Sequence, residues 1–376
     1  MNQIHGRREI QELRGTAGAD DLTNEILPVD VTIAGDWDEQ DWNAFARSRD
    51  VDGHFHAYAW RNIIWKALKH RPHYLIARRN GSVTGILPLF DVKSRLFGRA
   101  LISVPFLNGG GVLADDDASA VALLRHAHDL MQKGRYRYAE MRHRQAFPLA
   151  DDLTCRHHKV SMRLALPDDP DQLFAGFKAK LRSQIRRPAK AGARAQLING
   201  ENVVDRDIDS FYQVFSENMR DLGTPVFPRS LFRETVRAFG AEAWLAIVWL
   251  DGHPTAAGLM VGFGSSIEMI WASSLRCFNR LSVNMLLYWE AMRTAIEQGY
   301  QTFDFGRCTE DGPTYRFKAQ WGAEPSPLHW YYLGDKRRLP DISPSNPRFH
   351  LATRAWQRLP VPIANRLGPV IARSLP

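Results

Sequence analysis

YLIARRNGSVTGILPLF, residues 74–90, and WLAIVWLDGHPTAAGLMVGF, residues 244–263, are two copies of one pattern. Each is a pair of β-rich runs around a two-residue turn, Asn80-Gly81 in the first and Asp251-Gly252 in the second, which is a strong hairpin signal. Outward from each hairpin comes another β-type stretch and then an amphipathic helix that stops at glycine. The first helix, Ser119 to Lys133, sets Ala120, Leu123, Leu124, Ala127 and Leu130 on one face before Gly134; the second, after Ser282, aligns Val283, Leu287, Ala291 and Ala295 before Gly299. Both lead into a strand. GRYRYAEMR from Gly134 and GYQTFDFGR from Gly299 each run to an arginine, Arg142 or Arg307, at an offset of 165 residues. So long a repeat marks a duplicated domain, not a solenoid. Hairpin, strand, helix and strand, twice over, predict two α/β domains with mostly antiparallel sheets.

Polar residues 1–27 lack periodicity and are expected to form a disordered leader, with structure starting near Val29. The first domain is assigned to residues 28–160, the second, with the site, to 161–335. Two further helices are expected at Ile208 to Leu222 and Arg229 to Phe239, the latter opened by Pro228 and closed by Gly240. Residues 336–376 form a basic tail punctuated by proline. It is expected to pack on the body, since proline interrupts a long amphipathic helix, with an anionic membrane surface as the alternative.

The 376 residues are 44% hydrophobic and 24% charged, enough for two domains with sizeable cores. Three scattered cysteines, Cys155, Cys277 and Cys308, exclude a disulfide framework and suit a reducing compartment. The N-terminus lacks a secretory apolar core, and no run reaches the ~18 apolar residues of a membrane span. A cytoplasmic protein, with a peripheral contact to the inner membrane as an option, is the expectation. A net charge of +8 favours anionic partners. Its focus is residues 172–200, which hold no acidic residue but seven cations: Lys178, Lys180, Arg182, Arg186, Arg187, Lys190 and Arg194.

The GxSxG, HExxH, GxxxxGK[ST] and post-strand GxGxxG motifs are absent, which removes the common hydrolase, zincin, nucleotide-triphosphatase and dinucleotide readings. Gly109 to Gly111 reads as a turn or a point of close backbone approach. The pairs His54 with His56 and His70 with His73, and Cys155 with His157 and His158, reach no four-ligand pattern, so no metal is assigned. The stretch FDFGRCTEDGPTYRFKAQWG, residues 303–322, is different: a strand ends at Gly306-Arg307, and Tyr315, Arg316, Phe317, Lys318 and Trp321 then crowd cations and aromatics together. A loop leaving a strand end is where α/β folds tend to place sites.

The tandem repeat, FDFG followed by TYRFKAQWG, and the basic LRSQIRRPAKAG between the repeats resemble the Fem family of aminoacyltransferases, and more narrowly the FemAB-like proteins of exosortase and PEP-CTERM systems in exopolysaccharide producers. The resemblance runs from about Val29 to Tyr332 and implies two tandem GNAT-like domains. It implies transfer of an acyl or aminoacyl group to an amine of an anionic cell-envelope precursor, peptidoglycan or exopolysaccharide related, with no tightly bound cofactor and either aminoacyl-tRNA or acyl-CoA as donor. Lys318 with Phe317 matches the motif position facing the donor. Arg182 and Arg186 become candidate phosphate or RNA contacts, with Arg307, Tyr315, Arg316 and Trp321 around them. The cleft would be framed by Ile267 to Ser274, the helix after Ser282 and Tyr300 to Gly306, with Asn284 and Tyr288, one helical turn apart, on its wall. Asp304 could serve as base, or as a structural partner of Arg307.

Two rivals stand. A CoA-dependent GNAT N-acetyltransferase would normally carry a glycine-rich pyrophosphate loop, whereas residues 275–284, LRCFNRLSVN, hold no glycine and offer only Arg276 and Arg280 to phosphate. A non-catalytic module for an anionic glycan or nucleic acid would rest on the seven-cation segment and the tail.

Overall fold

Asn80 and Gly81 (φ 52° and 81°) and Asp251 and Gly252 (φ 50° and 75°) all take the left-handed backbone that closes a two-residue hairpin, so both copies turn where the sequence predicts. The computed structural model describes residues 28–49, 53–94, 97–149, 153–157, 159–339 and 347–375. The expected leader, 1–27, lies outside them, as does His158.

The first repeat runs β1 (Asp30–Ile33), α1 (Glu39–Arg49), α2 (Ala59–Leu68), β2 (Arg71–Arg79), β3 (Ser82–Ser94), β4 (Gly98–Ser103), β5 (Leu113–Ala114), α3 (Asp117–Lys133), β6 (Tyr138–His143), β7 (Thr154–Arg156) and β8 (Val160–Ala165). The second runs α4 (Pro170–Gly176), α5 (Ala179–Lys190), β9 (Arg194–Asn199), α6 (Asp205–Leu222), α7 (Arg229–Phe239), β10 (Ala243–Leu250), β11 (His253–Phe263), β12 (Ser266–Ser274), α8 (Val283–Glu297), β13 (Thr302–Cys308), α9 (Pro313–Ala319), β14 (Glu324–Pro327) and β15 (His329–Leu333). The basic segment thus becomes α5. The tail holds α10 (Pro347–Gln357) and α11 (Val361–Ala372).

One sheet has the order β1-β2-β3-β4-β6-β15-β7, with β5 on β3, and the other β14-β8-β13-β12-β11-β10-β9. Pairing among the described strands is antiparallel except for β4 with β6 and β12 with β13, which run parallel. Each parallel ladder lasts three residue pairs. β12 and β13 pair only through Ser266, Ile267 and Glu268 against Thr302, Phe303 and Asp304, and then part. Two strands that diverge leave a wedge, and side chains must fill it or leave a cleft.

The last strands are exchanged. β15, which closes the second repeat in chain order, inserts between β6 and β7 of the first sheet, and β8 inserts between β13 and β14 of the second. The largest apolar cluster also belongs to both repeats: Trp42, Trp60, Phe55 and Tyr74 share one core with Phe211, Phe232, Leu245, Leu259 and Trp271. Each fully buried large side chain stabilises by about 1.5–3 kcal/mol, so this shared core binds the repeats firmly.

Candidate active site

Asp304 ends the short β12–β13 ladder opposite Glu268, which puts two carboxylates side by side where the strands part. Both are almost fully buried. The first repeat supplies their partners. His54 Nε2 lies 2.9 Å from Glu268 Oε2, and Asn108 Nδ2 donates to Glu268 Oε1 at 2.9 Å. Trp60 Nε1 donates to the His54 carbonyl at 2.9 Å and lies 3.2 Å from His54 Nδ1, which holds the ring in place against Glu268. Arg144 donates to Asp304 Oδ2 (2.9 Å), while Ser161 Oγ and the Gly306 N–H both donate to Oδ1 (2.7 Å each).

The surroundings drive the two carboxyls apart. Burial, then the charge of Glu268, push Asp304 above its ordinary value against the pull of Arg144, Ser161 and Gly306. Burial would raise Glu268 too, but the hydrogen bond from His54, with Arg144 and Asn108, outweighs it and holds the carboxyl below its usual value. Asp304 is paired to Arg144 rather than to Arg307, which corrects the structural partner expected from the sequence. Arg307 instead stacks its guanidinium over Trp330, 5.4 Å from the ring centre. Its side chain is exposed, yet its head group is packed closely by protein; the lost hydration and the nearby Arg142 lower it to about 10, so it stays charged at neutral pH.

Lys318 answers to the same strand end. β13 is irregular between Asp304 and Arg307, with Gly306 at φ 71°, and the carbonyls of Gly306 and Arg307 accept from Lys318 Nζ at 2.8 and 2.9 Å. Only 4% of the side chain surface is exposed. Burial lowers its pKa from the usual lysine value. Lys318 thus fastens α9 to β13, with one ammonium hydrogen left after the two carbonyls are served.

Asn284, Tyr288 and Phe317, three residues chosen from the sequence, meet at one cleft of about 160 Å³ whose other walls are Asn218, Ala272, Ser273, Ser274 and Leu287. Asn218 Nδ2 donates to Ser273 Oγ at 3.0 Å, which directs the Ser273 proton elsewhere. Tyr288 stacks on Phe305 at 5.4 Å, and burial raises its phenol, so it is protonated at neutral pH. Trp321 is core instead, 1% exposed and edge-on to Phe177 at 5.4 Å. Tyr315 is half-buried against the same cluster, while Arg316 is exposed and donates to the Asp311 carbonyl.

The basic segment lies beside this corner. Lys178, Lys180 and Gln184 share a groove of about 490 Å³ with Ala319, Gln320 and Gly322. Arg182 spends one nitrogen on the carbonyls of Ala175 and Phe177, and Arg186 lies over Phe174 at 4.9 Å. The glycine-free stretch forms a 3-10 helix, Arg276–Leu281, in which Arg276 donates to the Asp221 carbonyl. A further cleft, about 470 Å³, opens on the first repeat between Arg49, Arg142, Arg144, Arg163, His56 and His143, with Asp115 to Asp117 on its wall and Gly110 and Gly111 at its edge. A Cβ on Gly109 would meet Phe55 at 2.5 Å, and one on Gly111 would meet His143 at 2.3 Å, so backbone and ring must approach closely there. Through Arg144, the buried carboxylates border this cleft. His54, Asn108, Arg144 and Glu268 were not picked out as site residues from the sequence; no short-range pattern joins them.

Residues 177–319 match the family model described as an acetyltransferase (GNAT) domain. The chain is an acyltransferase of the tandem GNAT fold. Three solved structures share this fold over most of both chains. FemX has a TM-score of 0.60 at 15% identity, covering 81% of this chain and 97% of its own. A tandem GNAT protein from the clavulanic acid biosynthesis pathway has 0.56 at 13%, covering 83% and 99%. The C-terminal domain of a putative lysylphosphatidylglycerol synthetase from Agrobacterium fabrum has 0.54 at 14%, covering 80% and 93%. Comparison with curated proteins gives no match. Among the described residues no helix is long and apolar enough to cross a membrane.

Proposed function

We propose that this acyltransferase moves an acyl or aminoacyl group from an activated ester or thioester, held at the Asn284–Tyr288–Phe317 cleft, to an amine of an anionic cell-envelope precursor held in the arginine-lined cleft. The observation that carries the proposal is the wedge where β12 and β13 part, with polar donors on one side and the two repeats' shared carboxylate network on the other. The amine attacks the carbonyl carbon, negative charge collects on the carbonyl oxygen, and the C–O or C–S bond then breaks. Ser273 and Asn284 are the side chains suited to that oxygen. Tyr288, kept protonated, is the group suited to give a proton to the leaving oxygen or sulfur, and the proton that the amine nitrogen sheds as its bond to the carbonyl carbon forms restores the phenol, so none is gained or lost overall. Asp304 already accepts three hydrogen bonds, so it acts as a positioning residue that holds Arg144 at the acceptor cleft rather than as the base.

Lys178 and Lys180 beside α9 support an anionic donor such as aminoacyl-tRNA, and the sequence motifs shared with exosortase-associated proteins support an exopolysaccharide-related acceptor. Exposed Ile363, Leu367, Val370 and Ile371 on α11, with Arg366 on the same helix and Arg373 just past its end, support a peripheral contact at the inner face of the membrane. A second reading, CoA-dependent N-acetylation, is favoured by the acetyltransferase description of the matching family and weakened by the glycine-free 3-10 turn.

Thermal shift with aminoacyl-tRNA, acetyl-CoA and long-chain acyl-CoA separates the two, because a donor that binds the native state raises the melting temperature by mass action. Stabilisation by acetyl-CoA alone selects the second reading. No stabilisation by any donor and no transfer to amine acceptors would defeat both and leave an anion-binding module. With the donor identified, Tyr288→Phe keeps the stacking on Phe305 and is expected to lower kcat by about 10²-fold or more with little change in KM.

A further inference from the structure

We propose that Cys155, His157 and His329 bind one zinc-class divalent ion, pinning β15 to the edge strand β7. The ladder between these strands pairs Trp330 with Arg156, Tyr331 with Cys155 and Tyr332 with Thr154. Since side chains alternate across a strand, Cys155 and His157 share one face, and the register puts His329 directly across from His157 on that face. The outcome is a compact donor set. One ligand atom from each of the three residues lies within 4.8 Å of the others, and Cys155 Sγ stands 3.9 Å from His157 Nδ1. The two imidazoles meet edge-on, with ring centres 4.7 Å apart at 88°.

A second observation points to a ligand. His329 Nδ1 is buried and has no hydrogen-bond partner among the described residues, a costly state for a ring nitrogen that a metal bond would relieve. His54 is held by Glu268 and His56 by the Gly111 carbonyl; His70 Nε2 is buried without a partner too, but among the described residues only Cys155, His157 and His329 gather into a donor cluster. A thiolate with two imidazoles selects zinc or its neighbours over magnesium and calcium, which prefer oxygen. Bonds of about 2.0–2.3 Å put ligand atoms roughly 3.3–3.7 Å apart, so closure by about an ångström completes three corners of a tetrahedron. His157 is exposed, which leaves the fourth corner to water. On binding, the Cys155 thiol gives its proton to solvent. Neither donor strand holds the set alone, because His329 comes from the exchanged strand of the other repeat.

The test uses the full chain, tag removed and stripped of metal by chelation. Titration with Co²⁺ is expected to give one equivalent of a tetrahedral visible spectrum with a thiolate charge-transfer band, and Zn²⁺ is expected to displace it and raise the melting temperature, while Mg²⁺ does neither. Cys155→Ser with His329→Ala should abolish both effects, and Cys277→Ser should leave them intact. His157→Ala, at an exposed position that does not threaten folding, should weaken Zn²⁺ binding at least tenfold. Absence of the Co²⁺ spectrum, or its persistence in His157→Ala and Cys155→Ser, overturns the proposal.

Discussion

Lys318 illustrates how a residue marked as donor-facing can also be structural. Its ammonium holds two strand-end carbonyls, and a charged hydrogen bond contributes about 1.5–3 kcal/mol, so Lys318→Ala is expected to cost roughly 3 kcal/mol of unfolding free energy in urea. If it also touches the donor, the variant loses the thermal shift that the donor gives the native chain. His70 supplies a pH test. Burial lowers it to about 4, while the unfolded chain takes up the proton near 6.5. Below pH 6.5 the unfolded state therefore binds a proton that the folded state refuses, and stability is expected to fall by about 1.4 kcal/mol per unit down to about pH 4. His70→Gln should reduce that slope in urea titrations at several pH values, leaving the share of His143, which burial lowers as well.

At the scale of elements, the sequence was informative wherever order is local. The two hairpin turns, α3, α6, α7 and α8 follow from turn chemistry, helical period and glycine stops, and the structure has each of them. Close approach at Gly109 to Gly111 was legible too. Pairings across the sheets were not, because nothing in HWYYL says that His329 to Leu333 will lie against β6 rather than β13, and nothing near Glu268 names His54. The same gap hid His329 from the Cys155 and His157 pair. α11 is an element whose two faces disagree: Ala364, Gly368 and Ala372 are buried, and α11 packs on α6, while Leu367 and Val370 are 46% and 55% exposed. Packing on the body, the expectation from its prolines, leaves an apolar stripe outside. Flotation with vesicles of anionic lipid is expected to carry the native chain, and Leu367→Glu with Val370→Glu to abolish it; equal flotation would remove the membrane contact from the proposed function.

For the whole molecule, the exchanged strands and shared core make the repeats one unit of stability. Calorimetry is expected to give a single unfolding transition whose van't Hoff and calorimetric enthalpies agree. A chain ended after Leu328 lacks β15, and so should lose order in the first sheet although every other first-repeat strand is present. Two separate transitions would contradict the shared core.

The exchange also sets a timetable for biosynthesis. β6 leaves the ribosome long before its neighbour β15, and at about 5–20 residues per second the stretch from His143 to Leu333 takes roughly 10–40 s to emerge. Through that interval β6 offers an unpaired edge, and β7 and β8 are the strands that emerge next beside it. The nascent first repeat thus keeps an open strand edge until the chain is nearly complete.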